Sequence, residues 1–412
     1  QKKIEGNAAQ QKPAEYSEEE LMQVTGAMEQ SLQKGIALFD SFESPNFSAK
    51  NRFLRSATWL AAADEETGAI TRAEVGRHSE VAFGGAGTVI TGAAYISEEG
   101  RALKGQWGLH NDQRIGDVTA LAEAVHKAGT KLIVQVCHAG GQRDPEIIKK
   151  TETLSPSGLE HPGRSFPTKT VTKDDIAKIK NDFAAAAARA KAGGADGVEI
   201  HAGHGFLITQ FLSPMINRRT DEYGGSLENR MRLIREILSS VRSAVGERFQ
   251  VWLKISIAEG TEFGYKAEDG IKTAETLLAD GADGIEVSCG TIYAGAQNAP
   301  SVIGVSAGES EAPFAQYAAA LKKSSSPDKV VILTGGLRSL SVMANLVYDG
   351  VCDLLGMSRP FNAEPDLINR WAEEDSRPSA CLSCNACFNT AVKKMIDCPI
   401  IRDRNEGFWD PL

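Results

Sequence analysis

The stretch that decides the fold runs from Ala195 to Arg230 and reads ADGVEIHAGHGFLITQFLSPMINRRTDEYGGSLENR. It opens as a short apolar strand after a turn of small residues, and it then releases two histidines, His201 and His204. A strand that ends in imidazoles and glycines is typical of a pocket at the carboxyl end of a sheet. A histidine that merely caps the strand and a zinc site are the alternatives, although HxxH lacks the glutamate of HExxH.

The composition is that of an ordinary globular protein. The chain has 412 residues, of which 42% are hydrophobic, and a formal net charge of -9. The acidic balance argues against a nucleic-acid or anionic-membrane partner. No apolar run approaches the ~20 residues of a membrane span, and the N-terminal residues have no apolar signal core. We therefore expect a cytoplasmic protein that acts on a small-molecule substrate.

Outward from the deciding stretch, short apolar segments alternate with longer amphipathic ones. Eight candidate strands each precede a candidate helix, which is the count of a (β/α)8 TIM barrel of the α/β class. The predicted strands are 53–57, 88–91, 132–136, 197–200, 251–255, 284–287, 330–333 and 353–356. The predicted helices are 72–83, 112–128, 173–192, 226–245, 266–279, 311–322, 339–348 and 366–374. No GxGxxG motif follows an early strand, so nothing indicates a dinucleotide-binding Rossmann domain.

The barrel is predicted for residues 36–376, between two dissimilar ends. Residues 1–35 form an extension in which Ser17 and Glu20 make a capping box for one amphipathic helix. That helix would pack on the barrel or on a neighbouring subunit, and we expect a homo-oligomer. Residues 377–412 form a cysteine-rich tail.

A phosphate site is predicted in the loops after strands seven and eight, where barrels often bind that group. The first loop contains Gly335 and Gly336, whose backbone N–H groups can approach an anion closely. The second contains Ser358 and Arg359, a hydroxyl and a guanidinium suited to phosphate oxygens. Two ordinary turns with a surface arginine are the alternative.

The segments IHAGHGFLITQFLSP (200–214) and NRRTDEYGGSLENR (217–230) together resemble the old yellow enzyme family of FMN-dependent ene-reductases. The resemblance covers most of the chain, with matching motifs at nearly every strand end. It implies a TIM barrel in which a nicotinamide, NADH or NADPH, passes hydride to FMN and leaves. An activated alkene then enters the same place and receives the hydride.

The resemblance also implies which residues hold FMN. Lys254 would lie near flavin N1 and O2, where the family more often has arginine, and Gln135 would bind the pyrimidine ring. Some relatives attach the flavin covalently through a cysteine at the position that Trp59 occupies here. Because tryptophan cannot form that bond, we predict that FMN is bound non-covalently. The full predicted cofactor set is Ala57, Thr58, Ala93, Gln135, Lys254, Gly335, Gly336, Ser358 and Arg359.

His201 and His204 match the family's pair of donors that hold and polarise the substrate carbonyl. Two residues beyond that pair the family commonly has a tyrosine that protonates the α-carbon. Here the position is Phe206, which has no proton to give. We name Tyr95, just beyond strand two, as a replacement catalytic residue, with water as the alternative.

The tail contains Cys381, Cys384 and Cys387 in CxxCxxC spacing, followed by Cys398. Thiolates at this spacing suit a [4Fe–4S] cluster, and a zinc ion held by four cysteines or a set of free thiols are the alternatives. The tail resembles the 2,4-dienoyl-CoA reductase and trimethylamine dehydrogenase branch of the family, in which a cluster follows the barrel.

The leading hypothesis is therefore an FMN oxidoreductase that reduces an electron-poor C=C bond with NADH or NADPH. One alternative keeps the flavin but oxidises an amine or another C–H substrate and passes electrons to the cluster. A second alternative is a flavin-free barrel that acts on a phosphorylated metabolite through its phosphate site.

Overall fold

A closed barrel of eight parallel strands forms the centre of the computed structural model. The structure describes residues 37–144, 147, 152–160, 168–295, 298–393 and 395–402. The barrel strands are β1 (Phe53–Arg55), β2 (Thr88–Ile90), β3 (Lys131–Cys137), β4 (Gly197–Ala202), β5 (Gln250–Ser256), β6 (Gly284–Ser288), β7 (Val330–Thr334) and β8 (Leu354–Met357). Each pairs in parallel with the next, and β8 pairs with β1 to close the ring. The predicted TIM barrel is confirmed.

Helices surround the strands, one after each. They are α1 (Arg72–Phe83), α2 (Ile115–His126), α3 (Lys173–Ala192), α4 (Leu227–Val245), α5 (Ala267–Ala279), α6 (Ala315–Ser324), α7 (Leu340–Tyr348) and α8 (Leu367–Ala372). Side-chain caps fix several of their starts. Thr172 and Asp175 make a capping box at α3, and the Ser226 hydroxyl accepts from the Asn229 N–H at α4. The predicted helix over 17–35 lies outside the described residues.

Several short elements lie outside the alternation and were not predicted. A hairpin pairs Phe42–Ser44 with Phe47–Ala49 before the first barrel strand. Two helices sit in strand-to-helix loops, Leu207–Leu212 after β4 and Arg359–Ala363 after β8. These pieces are too short for a periodic pattern to reveal them. Among the described residues, no helix combines the length and apolar character that a membrane crossing needs.

The lower half of the barrel interior is apolar and closed. Phe42 and Phe47 of the hairpin join one buried cluster with strand residues that include Trp252 and Ile332. The rings of Phe47 and Trp252 meet edge to face, with centroids 4.9 Å apart. The hairpin is thus a floor at the N-terminal end of the barrel, and it leaves the opposite end for a binding site.

The upper half of the interior is polar, because alternate residues of a strand share one face. On β5, Lys254 lies level with His201 on one side and with Glu286 on the other. Two residues further along β5 and β6, Ser256 lies level with Ser288. A layer of charged and hydroxyl groups therefore lies above the apolar floor.

Candidate active site

His201 and His204 lie side by side at the carboxyl end of β4. His201 is on the strand, and His204 follows it with φ of 62°, a left-handed conformation uncommon outside glycine. Their ring centroids are 5.1 Å apart with an interplanar angle of 64°. The backbone N–H of His204 donates to Ser256 Oγ at 2.9 Å, and its Nε2 lies 2.8 Å from Ser288 Oγ. Two serines from β5 and β6 thus hold this histidine in place.

Both imidazoles are neutral at physiological pH. Burial, and then the charge of Lys254, lower the pKa of His201 to about 3. Burial, His201 and Lys254 lower the pKa of His204 well below its usual value. Within the described part of the chain, Nδ1 of His201 is buried without a hydrogen-bond partner. A neutral imidazole carries one N–H, so the pair can present donors to a ligand's carbonyl oxygen.

Lys254 lies at the centre of the polar layer. Its Nζ is 2.9 Å from Glu286 Oε1 and donates to Ser56 Oγ at 2.7 Å. The side chain is only 6% exposed, so the ammonium charge is sustained by that carboxylate. Lys254 is therefore held in place inside the barrel, and its contact with a flavin stays a prediction.

Gln135 reaches the same layer from β3. Its Nε2 donates to Glu199 Oε1 at 2.6 Å. Glu199, Glu286, Ser56, Ser256 and Ser288 were not predicted as site residues. The sequence does carry a signal for most of them. Polar residues occur at alternate positions near the ends of apolar strands, as Glu199 and His201 do, and alternate residues of a strand lie on the same face.

Phe206 lies beside His201, and its ring centroid is 4.7 Å away at an angle of 62°. It precedes the helix Leu207–Leu212 as its N-cap residue and has no side-chain cap. The position that commonly carries a tyrosine in the family is therefore next to the histidine pair, but the ring has no hydroxyl.

Tyr95 is held in a different set of contacts. Its hydroxyl donates to Glu98 Oε1 at 3.3 Å, and its ring stacks on His110 with centroids 4.9 Å apart. Burial and Glu98 raise the pKa of Tyr95 well above its usual value. These contacts do not join Tyr95 to His201 or His204, and its catalytic role stays a prediction.

The predicted phosphate loops lie at neighbouring strand ends. Gly335 and Gly336 follow β7 with φ of 103° and 72°, and a Cβ on Gly336 would lie 2.7 Å from Pro313 Cδ. Only glycine fits such a turn without strain. The hydroxyls of Thr58 and Ser358 are 2.7 Å apart, which links the end of β1 to the end of β8.

Arg359 reaches away from that loop toward the cysteine-rich tail. Its Nη1 donates to Asn385 Oδ1 at 2.7 Å and to the Ser383 carbonyl at 3.4 Å. Arg359 thus follows β8 in the predicted phosphate loop while its guanidinium bonds to the cysteine loop, a contact that the sequence did not predict. The predicted backbone contacts lie nearby: the carbonyl of Ala93 accepts from Gln106 Nε2 at 2.7 Å, and Ala57 packs on the interior cluster.

The four tail cysteines line one small cavity together with Arg359 and Asn362. The set is Cys381, Cys384, Cys387 and Cys398. Over the ranges that the structure describes, no three histidine, cysteine or acidic side chains are arranged to hold a metal ion. The structure brings the four thiols around one cavity, and the predicted [4Fe–4S] cluster stays a prediction. Trp59 and Ala61 pack on Cys387 and join the tail to the end of β1.

Comparison with known proteins gives the chain its family. The family model described as "NADH:flavin oxidoreductase / NADH oxidase family" matches residues 37–377. The chain belongs to this family. Members of this family, to which the old yellow enzymes belong, use FMN and NAD(P)H.

The curated relatives of this chain have names that describe different reactions. An N,N-dimethylglycine/sarcosine dehydrogenase of Chromohalobacter salexigens is 32% identical over 86% of this chain and 51% of its own length. An NADH oxidase of Thermoanaerobacter brockii is 31% identical over 84% of the chain and 52% of its own length. An NADPH dehydrogenase of Halalkalibacterium halodurans is 34% identical over 62% of this chain and 73% of its own length. The chain spans about half the length of the first two.

Solved structures show the same spread. A 2-naphthoyl-CoA reductase complexed with 2-naphthoyl-CoA matches with a TM-score of 0.82 and 26% identity, and the match covers 92% of this chain and 58% of the reductase chain. A histamine dehydrogenase from Rhizobium sp. 4-9 matches with a TM-score of 0.77 and 26% identity, and the match covers 88% of this chain and 52% of the dehydrogenase chain. Membership of the family favours a flavin over the flavin-free alternative.

The residues present fit FMN. The phosphate loops combine glycine backbone with Ser358 and Thr58 hydroxyls. Gln135 and Lys254 supply polar groups on the inward faces of β3 and β5. The unpartnered Nδ1 of His201 leaves a buried donor or acceptor for a bound molecule among the described residues.

Proposed function

We propose that this protein is an FMN-dependent oxidoreductase that uses NADH or NADPH to reduce an activated C=C bond of an enone or enoyl type. The observation that carries this proposal is the neutral, adjacent pair His201 and His204 beside Lys254. FMN is held without a covalent bond, and when bound it supplies hydride transfer between nicotinamide and substrate.

The histidine pair binds and polarises the substrate carbonyl oxygen. Each ring can give one N–H bond, and low solvent access makes those bonds stronger than in water. Negative charge develops on that oxygen when hydride adds to the β-carbon, so the two donors stabilise the transition state more than the ground state. Ser256 and Ser288 keep His204 in the required orientation.

The paired variants His201→Ala and His204→Ala test this assignment. FMN should stay bound, since neither ring belongs to the phosphate loops, and the rate of enone reduction should fall by ~10²-fold or more for each lost donor. His126→Ala is the matched control, because that histidine pairs with Asp196 on the outside of the barrel. Loss of flavin in the His201 or His204 variants would show that the pair has been misassigned.

A second candidate is oxidation of a C–N or C–H substrate with electrons leaving through a [4Fe–4S] cluster. The four-cysteine cavity supports it, as do the likenesses to the dimethylglycine/sarcosine and histamine dehydrogenases. Anaerobic purification with measurement of the visible spectrum, iron and labile sulfide tests the cluster. Turnover of amines with an artificial acceptor but no turnover of enones with NAD(P)H would favour this candidate over the first.

A homo-oligomeric state, a small-molecule substrate and a cytoplasmic location are further parts of the proposal. Light scattering after size-exclusion chromatography tests the first. A measured mass equal to that of one chain at micromolar protein concentration would contradict the homo-oligomeric state.

A further inference from the structure

Two carboxyl groups meet in the polar layer of the barrel. Glu199 is on β4 and Glu286 is on β6, on either side of the strand that carries Lys254. Both side chains are fully buried, at 0% exposure. Buried carboxyl groups are costly unless their charges and lone pairs are satisfied, so the partners of each oxygen decide their state.

One oxygen of each group is well satisfied. Oε1 of Glu199 accepts from Gln135 Nε2 at 2.6 Å. Oε1 of Glu286 accepts from Lys254 Nζ at 2.9 Å and from the Ser56 hydroxyl. These bonds account for one ammonium, one amide and one hydroxyl donor.

The remaining oxygens require a proton. Oε2 of Glu199 and Oε2 of Glu286 are buried, and neither atom has a hydrogen-bond partner among the described residues. The Lys254 ammonium between the two strands bonds to Glu286, and it is the cation that the structure shows beside the pair. Two ionised carboxylates would place two buried negative charges beside one ammonium and leave both Oε2 atoms without a donor, so we expect one of the two groups to carry a proton.

Glu259 shows the contrast within the same chain. Its carboxylate, also buried, accepts from Ser213 Oγ at 2.6 Å, from the Tyr265 N–H at 3.0 Å and from Tyr293 Oη at 2.8 Å. Three donors can sustain an ionised carboxylate away from water. Among the residues that the structure describes, the Oε2 atoms of Glu199 and Glu286 have no such donors.

We propose that Glu199 and Glu286 share one proton, and that this pair takes up a second proton when FMN held near Lys254 is reduced. The first part stands on the residues alone, and the second rests on the proposed function. The groups that face the pair are Lys254, Gln135, Ser56 and the neutral ring of His201.

Charge counting gives the reason for the second part. The Lys254 ammonium and the singly ionised pair together have no net charge. Reduction adds negative charge at the flavin's pyrimidine edge, so the proton affinity of a carboxylate nearby rises. Two electrons come from NAD(P)H or from dithionite, and the proton comes from solvent and stays on a carboxyl oxygen.

Infrared spectroscopy of the apoprotein tests the shared proton without any flavin. The wild type should show the carbonyl stretch of a protonated carboxylic acid, and Glu199→Gln should lose that band. Glu74→Gln is the matched control, because burial raises the pKa of Glu74 to about 8 and this group contributes a separate band. Should Glu199→Gln fail to fold, Glu286→Gln gives the same readout.

A redox titration of the FMN-loaded protein tests the linkage. Over the pH range in which the pair gains its second proton, the midpoint potential of the wild type should fall more steeply than that of Glu199→Gln. The difference should approach about 30 mV per pH unit, the contribution of one proton per two electrons.

Identical infrared spectra of the wild type and both pair variants would overturn the shared proton. Equal potential slopes in the wild type and Glu199→Gln would overturn the linkage. A protein that never binds FMN would overturn the proposed function and the linkage, while the infrared result would still stand by itself.

Discussion

The Nε2 atom of His204 lies 2.8 Å from the hydroxyl oxygen of Ser288. His204 follows β4 and Ser288 is the last residue of β6, so the contact exists only in the folded barrel. It holds the ring of His204, whose backbone has a left-handed φ of 62°. The serine is therefore a positioning residue for the histidine pair.

Removing that hydroxyl should slow the proposed reaction without removing the donor itself. We expect Ser288→Ala to lower kcat for enone reduction by about five- to tenfold, the value of one lost hydrogen bond. Steady-state kinetics and a flavin-binding titration measure the effect. Ser243→Ala is the control, because that hydroxyl donates only within its own helix. An unchanged kcat in Ser288→Ala would contradict the positioning role.

Lys254 and Glu286 should prove strongly coupled in stability. Lys254→Met leaves a buried carboxylate without its cation, which should cost about 3–5 kcal/mol. The double variant Lys254→Met with Glu286→Gln should be less destabilised than the sum of the single variants, because no charge remains unpaired. Urea denaturation with and without added FMN measures the cycle, and additive single effects would contradict the ion pair.

The neutral burial of His201 should make the fold sensitive to mild acid. Its pKa falls from 6.5 in the unfolded chain to about 3 in the folded one, so the unfolded state binds the extra proton. Stability from this group is full above pH 6.5 and decreases as the pH falls toward 3. Between neutral pH and pH 5 the loss should be roughly 2 kcal/mol. His201→Gln should lose less over that range in urea denaturation, and equal losses would refute the prediction.

Phe206→Tyr should restore a proton donor beside the histidine pair. The ring already lies 4.7 Å from that of His201, so the added hydroxyl enters the polar end of the barrel. We expect faster enone reduction, by up to the ~10²-fold typical of a positioned acid, if protonation of the α-carbon limits the wild type. Stopped-flow kinetics in water and deuterium oxide measure both the rate and the isotope effect. A slower variant with bound flavin would mean that this position does not face the α-carbon.

Substitution of a tail cysteine should lower the iron content of the protein, whereas substitution of a barrel cysteine should not. Cys384→Ser removes one thiol from the four-cysteine cavity, so iron and labile sulfide should both fall after anaerobic purification. Cys352→Ser is the control, because that thiol is buried beside β8 and far in sequence from the cavity. Equal iron in the wild type and Cys384→Ser would count against the cluster.

The strands and helices of the barrel could be predicted because each has a clear period. The helix Arg72–Phe83 and the helix Lys173–Ala192 have the predicted bounds. The hairpin over 42–49 was missed, since its two strands are only three residues each and one face is exposed.

The candidate site was predictable in its parts but not in its connections. Single residues such as His204 and Lys254 stand out as polar groups on apolar strands. Their partners come from distant parts of the chain, as Ser56 does for Lys254, and no local pattern reports such a contact. The reach of Arg359 to Asn385 is of the same kind.

The hairpin under the barrel also bears on the order of events in catalysis. Phe47 packs against Trp252 at the N-terminal end, so we expect molecules to reach the polar layer from the opposite end of the barrel. A nicotinamide and an alkene that both need the space in front of His201 cannot occupy it together. The nicotinamide has to leave before the alkene binds. The kinetics of such an enzyme should therefore be ping-pong, and each substrate should inhibit the other at high concentration.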